Sequence, residues 1–209
     1  MNVLNVLNYA PGFGGGIADH LLKLSHEARL NGINLIFGFP KKQDWQSQLQ
    51  SESDILIIPE IQRPLRKRFS NVLRVICEQN KIDLVHFHFM FALPFSSTLT
   101  FKNLRASTIY HWHNPPLALN DQLTPANNIK GKIKRQISSL VAKFTDRRII
   151  TKHISMSKEI SDLLVEHKWT TEDKITFIQN GVTLSNGKSN NHKTKNDETT
   201  TSQNTCHRH

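Results

Sequence analysis

Short apolar runs alternate with helical stripes from the first residues to about residue 178, and this alternation restricts the fold more than any other feature. Residues 3–9 (VLNVLNY) form an apolar run that empties into the glycine-rich APGFGGG, as a strand does on entering a loop. Ile17, Leu21, Leu24 and Ala28 then recur at helical spacing, and Asn31-Gly32 offers the left-handed residue that ends a helix. Residues 33–39 (INLIFGF) give a second strand, halted by Pro40, and residues 54–58 (DILII) a third.

The pattern continues. Leu65, Phe69, Val72 and Ile76 form a helical stripe, with Arg63, Arg66, Lys67, Arg68 and Arg74 mostly off it. Residues 82–87 (IDLVHF) and 107–112 (STIYHW) read as strands. Ile129, Ile133, Ile137, Leu140 and Phe144 mark a long helix whose exposed side carries Lys130, Lys132, Lys134 and Arg135. A strand near 152–155, a helix with Ile160, Leu163 and Leu164, and a strand at 174–178 (KITFI) complete the series. Strands alternating with helices predict an α/β fold: a single doubly wound, mainly parallel Rossmann-like sheet with helices on both faces. Ligands of such sheets bind beyond the carboxyl ends of the strands, near the point where strand order reverses.

The overall hydrophobic content of 37% is low, and the deficit is concentrated at the end. Residues 185–209 contain no Val, Ile, Leu, Phe, Met, Trp or Tyr, so they cannot bury enough apolar surface to offset the entropy of ordering. The expected organisation is a domain over 1–184 and a disordered polar tail over 185–209. Two cysteines, Cys77 and Cys206, make no disulfide framework and fit a reducing compartment. The start of the chain lacks the pattern of a secretory signal, and no window is apolar enough to span a bilayer. A cytoplasmic protein is expected, with possible peripheral contact at the inner membrane face.

The net charge of +10 favours anionic partners without choosing among them. The segments 63–68 and 130–135 join positive charge to apolar stripes, as interfacial helices do, but core-facing stripes with solvated charges give the same pattern. No nucleic-acid signature occurs, and aromatics are not interleaved with the basic runs, so nucleic acid is not an expected partner.

Three constellations fall at strand ends. In the first, Gly12-Phe13-Gly14-Gly15-Gly16, glycines permit close backbone approach and the following helix offers unpaired N–H groups to a phosphate or sugar oxygen. A tight turn without a ligand is the alternative. It is not a dinucleotide fingerprint, because Ile17 stands where the third glycine belongs and no acidic residue ends the second strand. The second is the Asp83-Leu84-Val85-His86-Phe87-His88 run. His86 and His88 share a strand face, but two ligands do not make a metal site and no Cys or third His lies close in sequence. No metal is therefore expected; one histidine packs and the other reaches the cleft. The third is Tyr110-His111-Trp112-His113-Asn114-Pro115-Pro116, where an imidazole at a strand end can hydrogen-bond a substrate oxygen or move a proton. His111 buried in the sheet, with only His113 functional, is the competing reading. Esterase, phosphate-loop and metalloprotease motifs are absent.

Together these segments resemble the N-terminal domain of family 4 glycosyltransferases, retaining enzymes built of two Rossmann domains (the GT-B fold). The likeness is carried by Gly15-Gly16-Ile17 and its helix, by the run from Asp83 to His88, and by His113-Asn114. It extends through Thr145-Asp146-Arg147-Arg148 and Ser155-Met156-Ser157-Lys158 to Lys174-Ile175-Thr176-Phe177-Ile178-Gln179-Asn180-Gly181-Val182. The resemblance implies an acceptor-side domain. Gly14, Gly15 and Gly16 would lie near the donor diphosphate and acceptor, with His88 and Asn114 beside them, and His113 would contact the transferred sugar. It implies no cofactor, only a nucleoside-diphosphate sugar as co-substrate and a glycan or lipid-linked acceptor, as in cell-surface polysaccharide or glycolipid synthesis. The polar stretch after Leu184 does not resemble the family's donor-binding half. The chain is accordingly expected to be inactive alone, either as a truncated fragment of the enzyme or as a subunit completed by a separately encoded donor domain. A non-catalytic acceptor- or membrane-binding module is the alternative.

Overall fold

In the computed structural model the described residues are 1–9, 15–62, 67–90, 106–114, 140, 144 and 149–179. Met1–Gln179 forms one compact unit, and residues 180–209, with the expected tail, lie outside the described residues. The sheet has seven strands: β1 (Asn2–Leu7), β2 (Asn34–Phe39), β3 (Asp54–Ile57), β4 (Leu84–His88), β5 (Ser107–Trp112), β6 (Lys152–Ser155) and β7 (Ile175–Phe177). Their order is β3-β2-β1-β4-β5-β6-β7 and every pairing is parallel, as the βαβ alternation predicts. Three α-helices are described: α1 (Gly15–Leu30), α2 (Lys67–Gln79) and α3 (Lys158–Glu166).

Alternation along each strand sends successive side chains to opposite faces, and each face has its own core. On the α1 side, Val3, Leu7, Leu35, Phe37 and Phe39 pack with Ala18, Leu21 and Ala28. On the other side, Leu4, Val6, Ile36, Val85 and Phe87 pack with Phe69, Leu73 and Cys77 of α2 and with Ile160 and Leu164 of α3. Each fully buried Leu or Phe contributes roughly 1.5–3 kcal/mol of transfer free energy.

Helix α1 ends as Asn31-Gly32 predicts. Gly32 takes φ +67°, which lets its own N–H reach Arg29 O and the Ile33 N–H reach Ala28 O at 2.8 Å, satisfying two terminal carbonyls. Helix α3 starts as a strand–serine–helix segment should: Ser157 Oγ accepts from Ile160 N–H at 3.2 Å.

The structure also adjusts the sequence reading. In α2 the deepest row is Phe69, Leu73 and Cys77, while Val72 and Ile76 are only partly buried. An i, i+4 row through a cysteine was invisible to a count of aliphatic residues. The 3-10 helix Asp44–Ser51, which buries Trp45 and Leu49, was not anticipated because its apolar residues show no 3.6 period. The long helix read over 129–144 lies outside the described residues except for Leu140 and Phe144, both helical and exposed. Of the basic segment 63–68, residues 63–66 lie outside the described residues, and Arg68, in the first turn of α2, pairs with Glu60 at 2.7 Å.

A candidate functional site at the switch point

Strand order reverses between β1 and β4, since the chain winds outward from β1 to β3 and then crosses back. The carboxyl ends of these strands are joined by Asn8 N–H to His88 O at 3.1 Å, and β5 lies beside β4. Leu84, His86 and His88 occupy the α1 side of β4, and Val85 and Phe87 the opposite side. In β5 the register sets His88 beside His111, so His111 and His113 join the same side while Tyr110 and Trp112 enter the opposite core.

Four imidazoles from two strands therefore gather on one face. His86 and His88 have ring centroids 4.0 Å apart, His111 and His113 4.2 Å apart, and the His86 and His111 rings are parallel within 1° with centroids 5.5 Å apart. His88 Nδ1 and His113 Nε2 meet at 3.2 Å, a hydrogen bond whose direction follows the tautomers. Phe89 stacks on His113 at 3.9 Å with 14° between the rings, and Tyr9 lies 5.3 Å from Phe89. Phe89 adopts φ +57°, a left-handed conformation costly for a bulky residue and of the kind that clusters at functional sites.

Burial sets the charge of this group. Desolvation, reinforced by His111 and His20, pushes the His113 imidazole down to about 3. Desolvation dominates again for His86, held at about 3, for His111, at about 4, and for His88, well below the ordinary imidazole range. At neutral pH all four are neutral. His113 is half-buried and engages His88 through Nε2, which leaves Nδ1 as the ring atom available to a hydroxyl.

The expected site residues divide as follows. His88 is buried beneath His113, and Asn114 is exposed immediately after it. Gly15 and Gly16 open α1, and among the described residues nothing lies within 4 Å of a Cβ added at Gly16. Gly14 lies outside the described residues. The ground for dismissing a metal at His86 and His88 was the lack of a third ligand near in sequence; the sheet supplies His111 from β5. His111 is half-buried and stands in the same group as His113, their ring centroids 4.2 Å apart.

Two members were missed altogether. Asn5, 1% exposed and in register with His86, has both carboxamide atoms unpartnered among the described residues. Its signal was present: a polar residue at the centre of an apolar strand. Phe89 had none, since a positive φ at a phenylalanine cannot be read from residue type.

A family model, Glycosyltransferase Family 4, matches residues 14–186, which is most of the chain. The chain belongs to glycosyltransferase family 4. Among solved structures, family member or not, the likeness is one of fold. Alr3699/HepE of Anabaena, in complex with UDP, superposes with a TM-score of 0.56 at 15% identity, over 87% of this chain and 44% of that one. A glycosyltransferase from Rickettsia africae gives 0.55 at 20% identity, over 87% and 43%. UDP-GlcNAc 2-epimerase from Neisseria meningitidis, bound to UDP-GlcNAc, gives 0.52 at 13% identity, over 85% and 46%. This family 4 chain thus spans less than half the length of these structures. A comparison with curated proteins finds no match. Among the described residues no helix is long and apolar enough to cross a membrane.

Proposed function

We propose that this family 4 domain is the acceptor side of a retaining transferase that moves a hexosyl group from a nucleoside-diphosphate sugar to a hydroxyl. The observation that carries the reading is His113: a neutral, half-buried imidazole at the end of β5, backed by Phe89 and held through Nε2 by His88. A neutral imidazole fixed on two sides orients a sugar hydroxyl without bringing a positive charge to a cationic transition state. The opening of α1 at Gly15-Gly16 gives a diphosphate both space and the positive end of a helix dipole. In this reading residues 1–184 form the domain, Gly14 and Asn114 complete its sugar-facing rim, and a second Rossmann domain holds most of the nucleotide. The protein works in the cytoplasm, at the inner membrane face when its acceptor is lipid-linked, in the synthesis of surface polysaccharide or glycolipid.

The test is transfer from UDP-sugars, measured with the 209-residue chain alone and with a separately produced donor-side domain. The expected result is no transfer by the chain alone, transfer by the mixture, and at least a hundredfold loss in kcat for His113→Ala. Transfer by the isolated chain would overturn the dependence on a second domain. A mixture in which His113→Ala is as active as the unaltered chain would overturn the site, and a mixture that binds acceptor but never transfers would favour a non-catalytic binding module.

A further inference from the structure

The four-imidazole group holds more nitrogen than sugar recognition uses. His86 and His111 make no hydrogen bond to a sugar-facing residue, yet both lie within the protein, and His86 Nε2, His88 Nε2 and both ring nitrogens of His111 are buried without partners among the described residues. A buried polar atom left unsatisfied is costly, so such atoms in a native protein call for a ligand, an ion or a water. One ring nitrogen from each of His86, His88 and His111 lies within 4.8 Å of the other two.

We propose that His86, His88 and His111 form a binding site for a divalent transition-metal ion of the zinc type, on the face of β4 and β5 that α1 shares. Ligand nitrogens around a tetrahedral zinc stand about 3.3 Å apart, given bonds of 2.0–2.1 Å. Contraction from 4.8 Å is within the reach of side-chain rotation on a fixed sheet. The frame is already set by backbone geometry: His86 and His88 are two apart on one strand, and His111 is the register partner of His88 on the next. The donor set is all imidazole, which suits zinc, cobalt, nickel and copper; the hard cations calcium and magnesium, which take oxygen ligands, do not fit it.

Two further features suit an ion. Asn5, beside His86, brings an unpartnered carboxamide oxygen to the same face, either as a fourth ligand or as the partner of a metal-bound water. An open cleft of about 340 Å³ between α1 and the sheet is lined by Asn5 and His86 at one part and by Glu27 at another, which gives an ion a way in. Occupancy would tie the ends of β4 and β5 together directly beneath His113, through His88, and so stiffen the sugar-facing ring.

The test titrates chelator-treated, full-length chain with Zn(II) alone, by competition with a chromophoric chelator, and repeats it with Co(II) followed by visible absorption. One ion per chain is expected, with a tetrahedral cobalt band, and His86→Gln and His111→Gln each weaken binding at least tenfold. The polar end of the chain contains His192, Cys206, His207 and His209, so a variant with all four replaced is included and should bind unchanged. To keep the result independent of how variants fold, imidazole nitrogen resonances are also followed in the unaltered chain. Zinc should shift His86, His88 and His111 and leave the exposed His26 and His167 in place. Absence of zinc binding, binding that survives both glutamine variants, binding lost with the four-residue variant, or shifts confined to exposed histidines would each overturn the proposal.

Discussion

On one face of β4 and β5, Val85, Phe87, Tyr110 and Trp112 are each 5% exposed or less and belong to a continuous apolar core. On the other face the same ten or so residues of chain present His86, His88, His111 and His113, the first three with buried nitrogens that lack partners among the described residues. The backbone, the register and the neighbouring strands are common to both. What differs is what each face gives up on burial: the aromatic face gains transfer energy, while the histidine face incurs a desolvation cost that a ligand, an ion or a water would offset. Stability is thus assigned to one set of alternate residues and, on the proposed reading, function to the other, so that a substitution should report on one or the other according to its parity.

The sharpest break in that comparison is Phe87→Ala. Removing a fully buried ring from the aromatic face should cost about 4 kcal/mol, read as a fall in the urea midpoint with an unchanged slope. A loss below about 1 kcal/mol would mean that this face is not the stabilising one.

Next in size is acid sensitivity from His153, which extends the aromatic side into β6. Trp112 Nε1–H donates to His153 Nδ1 at 2.9 Å, and burial, with Lys174 nearby, holds the imidazole at about 4. The unfolded imidazole binds a proton near 6.5 and the native one only near 4, so between these values the unfolded state carries more protons. The His153 contribution to stability therefore falls as pH drops from about 6.5 to about 4, by on the order of 3 kcal/mol, and levels off below that. Urea melts at several pH values, repeated with His153→Phe, isolate the contribution: the variant should lose that part of the slope, and an unchanged slope would refute it.

Gly38→Ala is smaller. A Cβ there would stand 2.7 Å from Ile58 Cδ1, the mobile end of a side chain, so a cost of about 1–2 kcal/mol is expected, with partial recovery in the Gly38→Ala, Ile58→Val double variant. Strict additivity of the two changes would show that the contact is not the cause. Smallest is His86→Leu, which removes an unpartnered buried nitrogen while filling similar space; with chelator present, stability should stay within about 1 kcal/mol of the parent. A loss as large as that of Phe87→Ala would erase the distinction between the faces.

Much of this was legible in the residues. Parallel strands, α1 with its Gly32 ending, and the placement of His88 and His113 at strand ends follow from local periodicity, which needs no knowledge of distant neighbours. The grouping of His111 with His86 and His88 was not legible, because it depends on which residue of β5 stands opposite His88, and register is fixed by the whole sheet. Phe89 and the Trp112–His153 bond escaped for the same class of reason: one depends on a backbone angle, the other on the pairing of β5 with β6.

The central position of β1 has a kinetic consequence. Its partner on one side, β2, follows after a single helix, but its other partner is β4, and Asn2 N–H bonds to Asp83 Oδ2 across 81 residues of chain. The first strand to be made is therefore among the last to be completed, and such long-range closure slows folding. Until β4 arrives, the β1–β2–β3 unit exposes an open apolar edge along β1, an invitation to pair with another chain. Variants that weaken β4 should on this account reveal themselves first as poor yield and aggregation during synthesis, before any change in the stability of the finished fold.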